Sequence, residues 1–185
     1  MKGTIVKCIE ELVSKKFGQG KWKECLQKAG VTENKVYSTI DDVSDAEVMA
    51  IIKGVSAAGS LSMEQVFDAF GEYWSTVYAP EIYKIYFDKA KNAREFLLNL
   101  DQVHTAMTRS MKSARPPHFR YEWQGDKHLI MHYTSDRGLV ALMPGLVRGV
   151  AKYYKENLKV SVTGNAVHIQ FAEAGAHATA GARTK

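Results

Sequence analysis

Apolar residues recur at helical spacing through the first half of the chain. Ile5, Ile9, Leu12 and Val13 make one face over residues 1–17, and Gly18 and Gly20 are expected to stop that helix. A second short helix is predicted over Trp22 to Ala29, closed by Gly30. Ser44 and Glu47 have capping-box spacing ahead of Val48, Ile51 and Ile52, which predicts a third helix start. Ser62 is the expected cap of a fourth, aromatic-rich helix carrying Val66, Phe67, Phe70, Tyr73, Trp74, Val77 and Tyr78 and ending near Pro80. A short helical piece follows through Tyr83, Tyr86 and Phe87. Phe96, Leu100, Val103, Met107 and Met111 then read as the stripe of one further helix, stopped by Pro116 and Pro117.

Beyond the prolines the period changes. His118 to Trp123 and Leu129 to Tyr133 have strand character around a Gln124-Gly125-Asp126-Lys127 turn. Gly138 to Tyr154 reads as a helix despite Pro144. Leu158 to Val162 and Ala166 to Phe171 read as a hairpin about Thr163-Gly164-Asn165. The expected class is α+β: a helical lobe over about 1–60, then a mixed lobe over about 61–171 with helices and a four-stranded antiparallel sheet. Residues 172–185 are Ala-, Gly- and Thr-rich and are expected to form a disordered tail.

Composition narrows the classes without choosing among them. The 185 residues are 45% hydrophobic and 24% charged, which suits a globular domain able to bury a core and a cavity. Cys8 and Cys25 form no C-x-x-C pair and read as free thiols in a reducing compartment. The absence of a signal-peptide pattern or a spanning apolar run leads to the expectation of a cytoplasmic protein with no membrane partner. The net charge of +5 is mostly interleaved with acids, which argues against nucleic acid. Arg109, Lys112, Arg115 and Arg120 form an acid-free run, suited to an acidic partner or to a solvated surface.

Three features carry candidate chemistry. His104 lies at the edge of the apolar stripe near Leu100 and Met107; a neutral imidazole there can ligate a metal, though such a histidine also reads as an ordinary core residue. Tyr133, Ser135 and Arg137 alternate on an extended segment, so a phenol, a hydroxyl and a guanidinium face one spot and suit a pair of carboxylates. Pro116-Pro117 is either a helix stop or a rigid wall beside a ligand.

These residues resemble the H-NOX family, the haem nitric oxide/oxygen-binding domains of bacteria and of animal soluble guanylate cyclases. The opening Met1-Lys2-Gly3-Thr4-Ile5, the segment Leu100-Asp101-Gln102-Val103-His104, the Arg115-Pro116-Pro117 stretch and Tyr133-x-Ser135-x-Arg137 carry the likeness, which covers about residues 1–171. The resemblance implies haem b between the two lobes, with His104 as axial ligand and Tyr133, Ser135 and Arg137 on the propionates. It makes Pro117 the wall that bends the macrocycle. Leu100 then lies beside the ligand, and Ile5, Ile9, Trp74, Tyr78, Leu142 and Leu146 line the other face.

Oxygen-binding members of that family resemble one another in a tyrosine at the position of Leu142. Leucine donates no hydrogen bond, so the expectation is a non-enzymatic sensor that binds NO and CO at ferrous haem, selects NO against O2, and signals in trans. The family implies a histidine kinase or a cyclic-di-GMP enzyme as partner. Rival readings are a haem protein that binds or senses O2, a haem-free module for an acidic partner, and an enzyme with His104 as general base beside Asp101.

Overall fold

The computed structural model describes residues 1–109 and 114–172. Nine α-helices, a π-helical segment, a short 3₁₀ turn and four strands are present among them: α1 Gly3–Phe17, α2 Gln19–Lys28, α3 Asp45–Gly59, α4 Met63–Tyr73, the π segment Trp74–Tyr78, α5 Ala79–Ile82, α6 Lys84–Lys89, α7 Ala93–Leu98, α8 Leu100–Thr108, β1 His118–Gln124, β2 His128–Thr134, the 3₁₀ turn Val140–Leu142, α9 Met143–Tyr153, β3 Leu158–Thr163 and β4 Ala166–Phe171. The fold is α+β, with helices followed by a four-stranded antiparallel sheet in the order β1-β2-β4-β3. None of the described helices is by itself long and apolar enough to cross a membrane.

Local chemistry explains where several boundaries fall. Gly18, at φ 83°, separates α1 from α2, but Gly20 lies inside α2 instead of stopping α1. Ser44 caps α3 by accepting from the Glu47 amide, while the Glu47 carboxylate turns to Lys35 and Tyr37; the reciprocal capping box belongs to Ser62 and Gln65 at α4. Pro80 and Pro144 fall in the first turns of α5 and α9, where a missing N–H costs no intrahelical bond. Hence the helical path runs past Pro80 to Ile82, and the helix expected from Gly138 begins only at Met143. The single stripe expected from Phe96 onward is two helices, broken at Asn99. Met111, Lys112 and the tail from 173 lie outside the described residues.

Two apolar clusters build the interior. The first joins α1–α4 through Val6, Leu26, Val48, Ile51 and Phe67 and reaches Tyr78. The second begins at Ala79 and joins α7, α9 and the inner sheet face through Leu97, Leu129, Met131, Val147 and Ile169. The clusters part at the π segment, later in the chain than residue 60. Glycines hold the seam together. A Cβ at Gly71 of α4 would stand 2.5 Å from the Leu146 nitrogen, and one at Gly145 of α9 would stand 2.8 Å from the Asp68 Cα. The α4 and α9 backbones therefore touch, and this contact fixes Trp74, Leu142 and Leu146 relative to one another.

The N-terminus is pinned as well. The Gly3 amide donates to the Asp41 carbonyl at 2.8 Å and the Val43 amide to the Met1 carbonyl at 2.9 Å. A Cβ on Gly3 would stand 1.9 Å from the Ser38 carbonyl oxygen. The chain start is thereby held against the entry to α3, with Ile5 directed toward the space between the clusters.

Candidate functional site

Between the two clusters lies a cavity of about 230 Å³, lined from the first side by Ile5, Phe70, Trp74 and Leu142, with Leu146 of the second cluster beside them. The other side is lined by Leu100, Val103, His104, Met107, Pro117 and Phe119, with Tyr133, Ser135 and Arg137 also in the wall. Two expected lining residues lie elsewhere. Ile9 faces a separate apolar pocket with Leu12 and Ile52, and Tyr78 borders a polar surface pocket beside Glu11 and Gln19. Ile9 lies one turn from Ile5 on the same side of α1, so the difference is in what that side meets further along the helix: packing among α1, α3 and α4 there, and the cavity only at Ile5.

Helix α8 shows what the cavity asks for. Leu100, Val103, His104 and Met107 form an apolar face at i, i+3, i+4 and i+7, yet none of the residues of α8 is fully buried. Their partner is the cavity. The His104 Nδ1 is shielded from water and has no hydrogen-bond partner. Burial holds the imidazole pKa below its ordinary value, with the Pro117 backbone and Asp101 opposing that shift. His104 is thus neutral at pH 7 and has a lone pair to offer. Asp101, one turn earlier, anchors α8 to β1: its Oδ1 accepts from the Phe119 amide at 3.2 Å and lies 3.1 Å from His118 Nδ1.

The three donors meet at the cavity although the strand stops early. β2 ends at Thr134, and Ser135 to Gly138 form a turn in which the Arg137 amide donates to Ser135 Oγ at 3.3 Å. Gly138 takes φ 60°, which a side chain rarely adopts, and this lets the chain swing back toward α9. Arg137 then reaches across the seam. Its Nε donates to Asp45 Oδ2 at 2.9 Å, and Asp45 Oδ1 accepts from the Met1 amine at 2.8 Å. The Arg137 guanidinium also donates to the Arg115 carbonyl. Arg115 itself lies 3.8 Å from Asp136 and 4.0 Å from Asp45, so part of the acid-free run faces acids from other segments.

Sequence reading missed several participants. Asp45 looks like a routine first-turn acid, and nothing local signals its link to Arg137. Tyr83 also lines the cavity, and burial raises its phenol pKa. Ser75 is buried in the π segment and donates to the Leu146 carbonyl at 3.1 Å, so its hydroxyl is already engaged. Bulged segments of this kind cluster at functional sites.

The donor set fits a haem: a buried imidazole with an unpartnered Nδ1 on one wall, an apolar interior, and an arginine with hydroxyl groups at the edge. The sequence matches the family model described as haem-NO-binding over residues 2–162.

The chain belongs to that family.

The H-NOX fold is equally clear in structural comparison. An oxygen-binding H-NOX domain related to soluble guanylate cyclases, in its oxygen complex, superposes with a TM-score of 0.76 at 25% identity, covering 92% of this chain and 95% of that one. An H-NOX protein from S. oneidensis, in an Fe(II) ligation state, gives 0.84 at 19% identity over 93% and 96% of the two chains. In sequence, the soluble guanylate cyclase gcy-37 of Caenorhabditis elegans is 33% identical over 150 residues, which is 78% of this chain and 21% of that protein. Its relative gcy-34 is 30% identical over 157 residues, 82% of this chain and 23% of that protein. This H-NOX domain therefore spans less than a quarter of the length of those cyclases. H-NOX domains are gas-sensing, non-catalytic modules related to soluble guanylate cyclase.

Proposed function

We propose that this H-NOX domain is a haem-based sensor of nitric oxide that passes its signal to a separate protein. The observation that carries the reading is the shared cavity: His104, with its unpartnered Nδ1, and the donors of Tyr133, Ser135 and Arg137 border one apolar space. In this reading His104 holds the iron of haem b, and Tyr133, Ser135 and Arg137 hold the propionates. Leu100 and Pro117 press on the same face as His104. A ferrous haem supplies the open coordination position at which NO or CO binds.

What the residues do follows from their chemistry. The neutral state of His104 keeps its lone pair free for iron. Arg137 neutralises a propionate that would otherwise lack a counter-charge at the cavity edge. Leu142, Leu146, Ile5 and Phe70 exclude water and offer no hydrogen bond. Bound O2 gains from a donor; a hydrogen bond to a charged group is worth about 1.5–3 kcal/mol. An apolar pocket forgoes that gain, while NO has little need of it. A second reading, O2 binding, draws on Trp74 and Tyr83, whose rings lie 6.5 Å apart and carry an N–H and an O–H within the lining.

H-NOX domains are non-catalytic modules, so the signal must pass to another group; a histidine kinase or a cyclic-di-GMP enzyme acting in trans is the proposed receiver. The deciding experiment is an absorption spectrum of the purified protein, reduced and then exposed to NO, CO and air. The NO-sensor reading expects NO and CO complexes and no stable oxy complex. A stable oxy spectrum transfers the assignment to O2, and a colourless protein that takes up no haem removes both.

A further inference from the structure

We propose that His128 and His168 form a binding site for a divalent transition cation, Zn²⁺ by its geometry, on the face of the sheet turned away from the cavity. Strand alternation places them there. Leu129 and Met131 of β2, and Val167 and Ile169 of β4, are fully buried in the inner cluster. His128, Ile130 and His132 of β2 and His168 of β4 therefore stand on the opposite face. The antiparallel register pairs His128 with Gln170 and Ile130 with His168, so the two histidines are diagonal neighbours.

Their nitrogens are close. His128 Nε2 lies 3.2 Å from His168 Nδ1, with ring centroids 5.4 Å apart and planes inclined by 41°. Without metal this is the distance of an N–H···N hydrogen bond, one ring donating and the other accepting. It is also the bite of a two-histidine chelate. With Zn–N bonds of about 2.0–2.1 Å, that separation subtends roughly 100° at the metal, close to the tetrahedral angle. Hard cations such as Mg²⁺ and Ca²⁺ prefer oxygen ligands and gain little here. Conversion asks for a tautomer change, in which the shared ring proton moves to the other nitrogen of its ring, and for a rotation of the rings that turns both lone pairs toward one point beside the N···N line.

The backbone ladder between β2 and β4 holds both ligands before any metal arrives, so little ordering is needed. Both imidazoles are partly exposed, which leaves a path from solvent. Their neighbours in register are neutral: Gln124 and Gln170 beside His128, and Ser161 beside His168. His132 is not part of the pair, because its Nε2 lies 2.9 Å from Glu122 Oε2. Among the described residues no group of three or more His, Cys, Asp or Glu is arranged to hold a metal. The site is accordingly a two-ligand one, whose remaining positions belong to water or to a group from another molecule.

The test is equilibrium dialysis of the haem-loaded full chain against Zn²⁺, with zinc counted by atomic absorption. Wild type and His132→Gln should each hold one zinc per chain. His128→Gln and His168→Gln should bind roughly tenfold more weakly or worse, as expected when a ligand is lost. His177→Gln, outside the described residues, should match wild type. Zinc X-ray absorption on the wild type needs no variant and should show two imidazole nitrogens at about 2.0 Å. No zinc retained by wild type, wild-type affinity in both ligand variants, or a zinc shell without imidazole overturns the proposal.

Discussion

Arg137 Nε donates to Asp45 Oδ2 across 2.9 Å, which joins the turn after β2 to the first residue of α3. The same carboxylate accepts from the Met1 amine, so one acid ties the chain start, α3 and a cavity-lining guanidinium together. The amine, and after it Arg137, holds the Asp45 pKa below the usual carboxylate range. A folded-state pKa below the unfolded one means stability that is present above the unfolded value and is lost as pH falls through the folded value. Thermal melts from about pH 7 down to about pH 3 should therefore lose more stability in wild type than in Asp45→Asn. At neutral pH the variant should melt lower by about 2–4 °C for each kcal/mol lost. Parallel acid profiles in the two proteins would show that this contact contributes nothing.

His104→Gly should keep the cavity and remove the proposed iron ligand. Added imidazole should then restore the wild-type ferrous spectrum, because it can fill the vacated space. A variant with that spectrum in the absence of imidazole would falsify the assignment of His104 to iron.

Arg137→Ala removes both the charge on the cavity edge and the link to Asp45. Haem loss to an acceptor protein should accelerate by roughly one to two decades, the scale of a charged hydrogen bond. Ser135→Ala should have a smaller effect. Identical haem-loss rates in wild type, Arg137→Ala and the triple alanine variant at Tyr133, Ser135 and Arg137 would remove the motif from the binding argument.

Leu142→Tyr places a phenol in the apolar lining. O2 affinity of the ferrous protein, measured by spectral titration in air-equilibrated buffer, should rise by roughly one to two decades where the hydroxyl reaches the ligand. NO binding should change much less. If O2 affinity is unmoved while the variant folds and holds haem, the selectivity argument from Leu142 fails.

Gly145→Val forces a branched side chain into the α4–α9 contact, where even a Cβ meets the Asp68 backbone at 2.8 Å. Overpacking of this kind costs about 1–3 kcal/mol. Denaturant melts should show the loss, and the haem absorption band should shift because Leu142 and Leu146 ride on the same seam. An unchanged midpoint would show that the helices separate at little cost.

Sequence alone determined the parts of this protein that are written in local patterns. Periodicity separated the helices from the sheet near residue 118, and Gly125 and Gly164 marked the two hairpins because a turn needs their positive φ. His104, Pro117 and the Tyr133, Ser135, Arg137 set stood out in the sequence because their spacing resembles a family motif, and all five border the cavity. Tertiary structure decided the rest. Asp45 meets Arg137 across 92 residues of chain, and no local pattern encodes that distance. Ile9 and Tyr78 share the helical spacing of true lining residues, yet packing sends them to other pockets. His128 and His168 become neighbours only when β4 enters the sheet between β2 and β3. A sequence period fixes which residues share a face of one element; what that face meets depends on how the elements pack, and packing is settled by contacts between residues far apart in the chain.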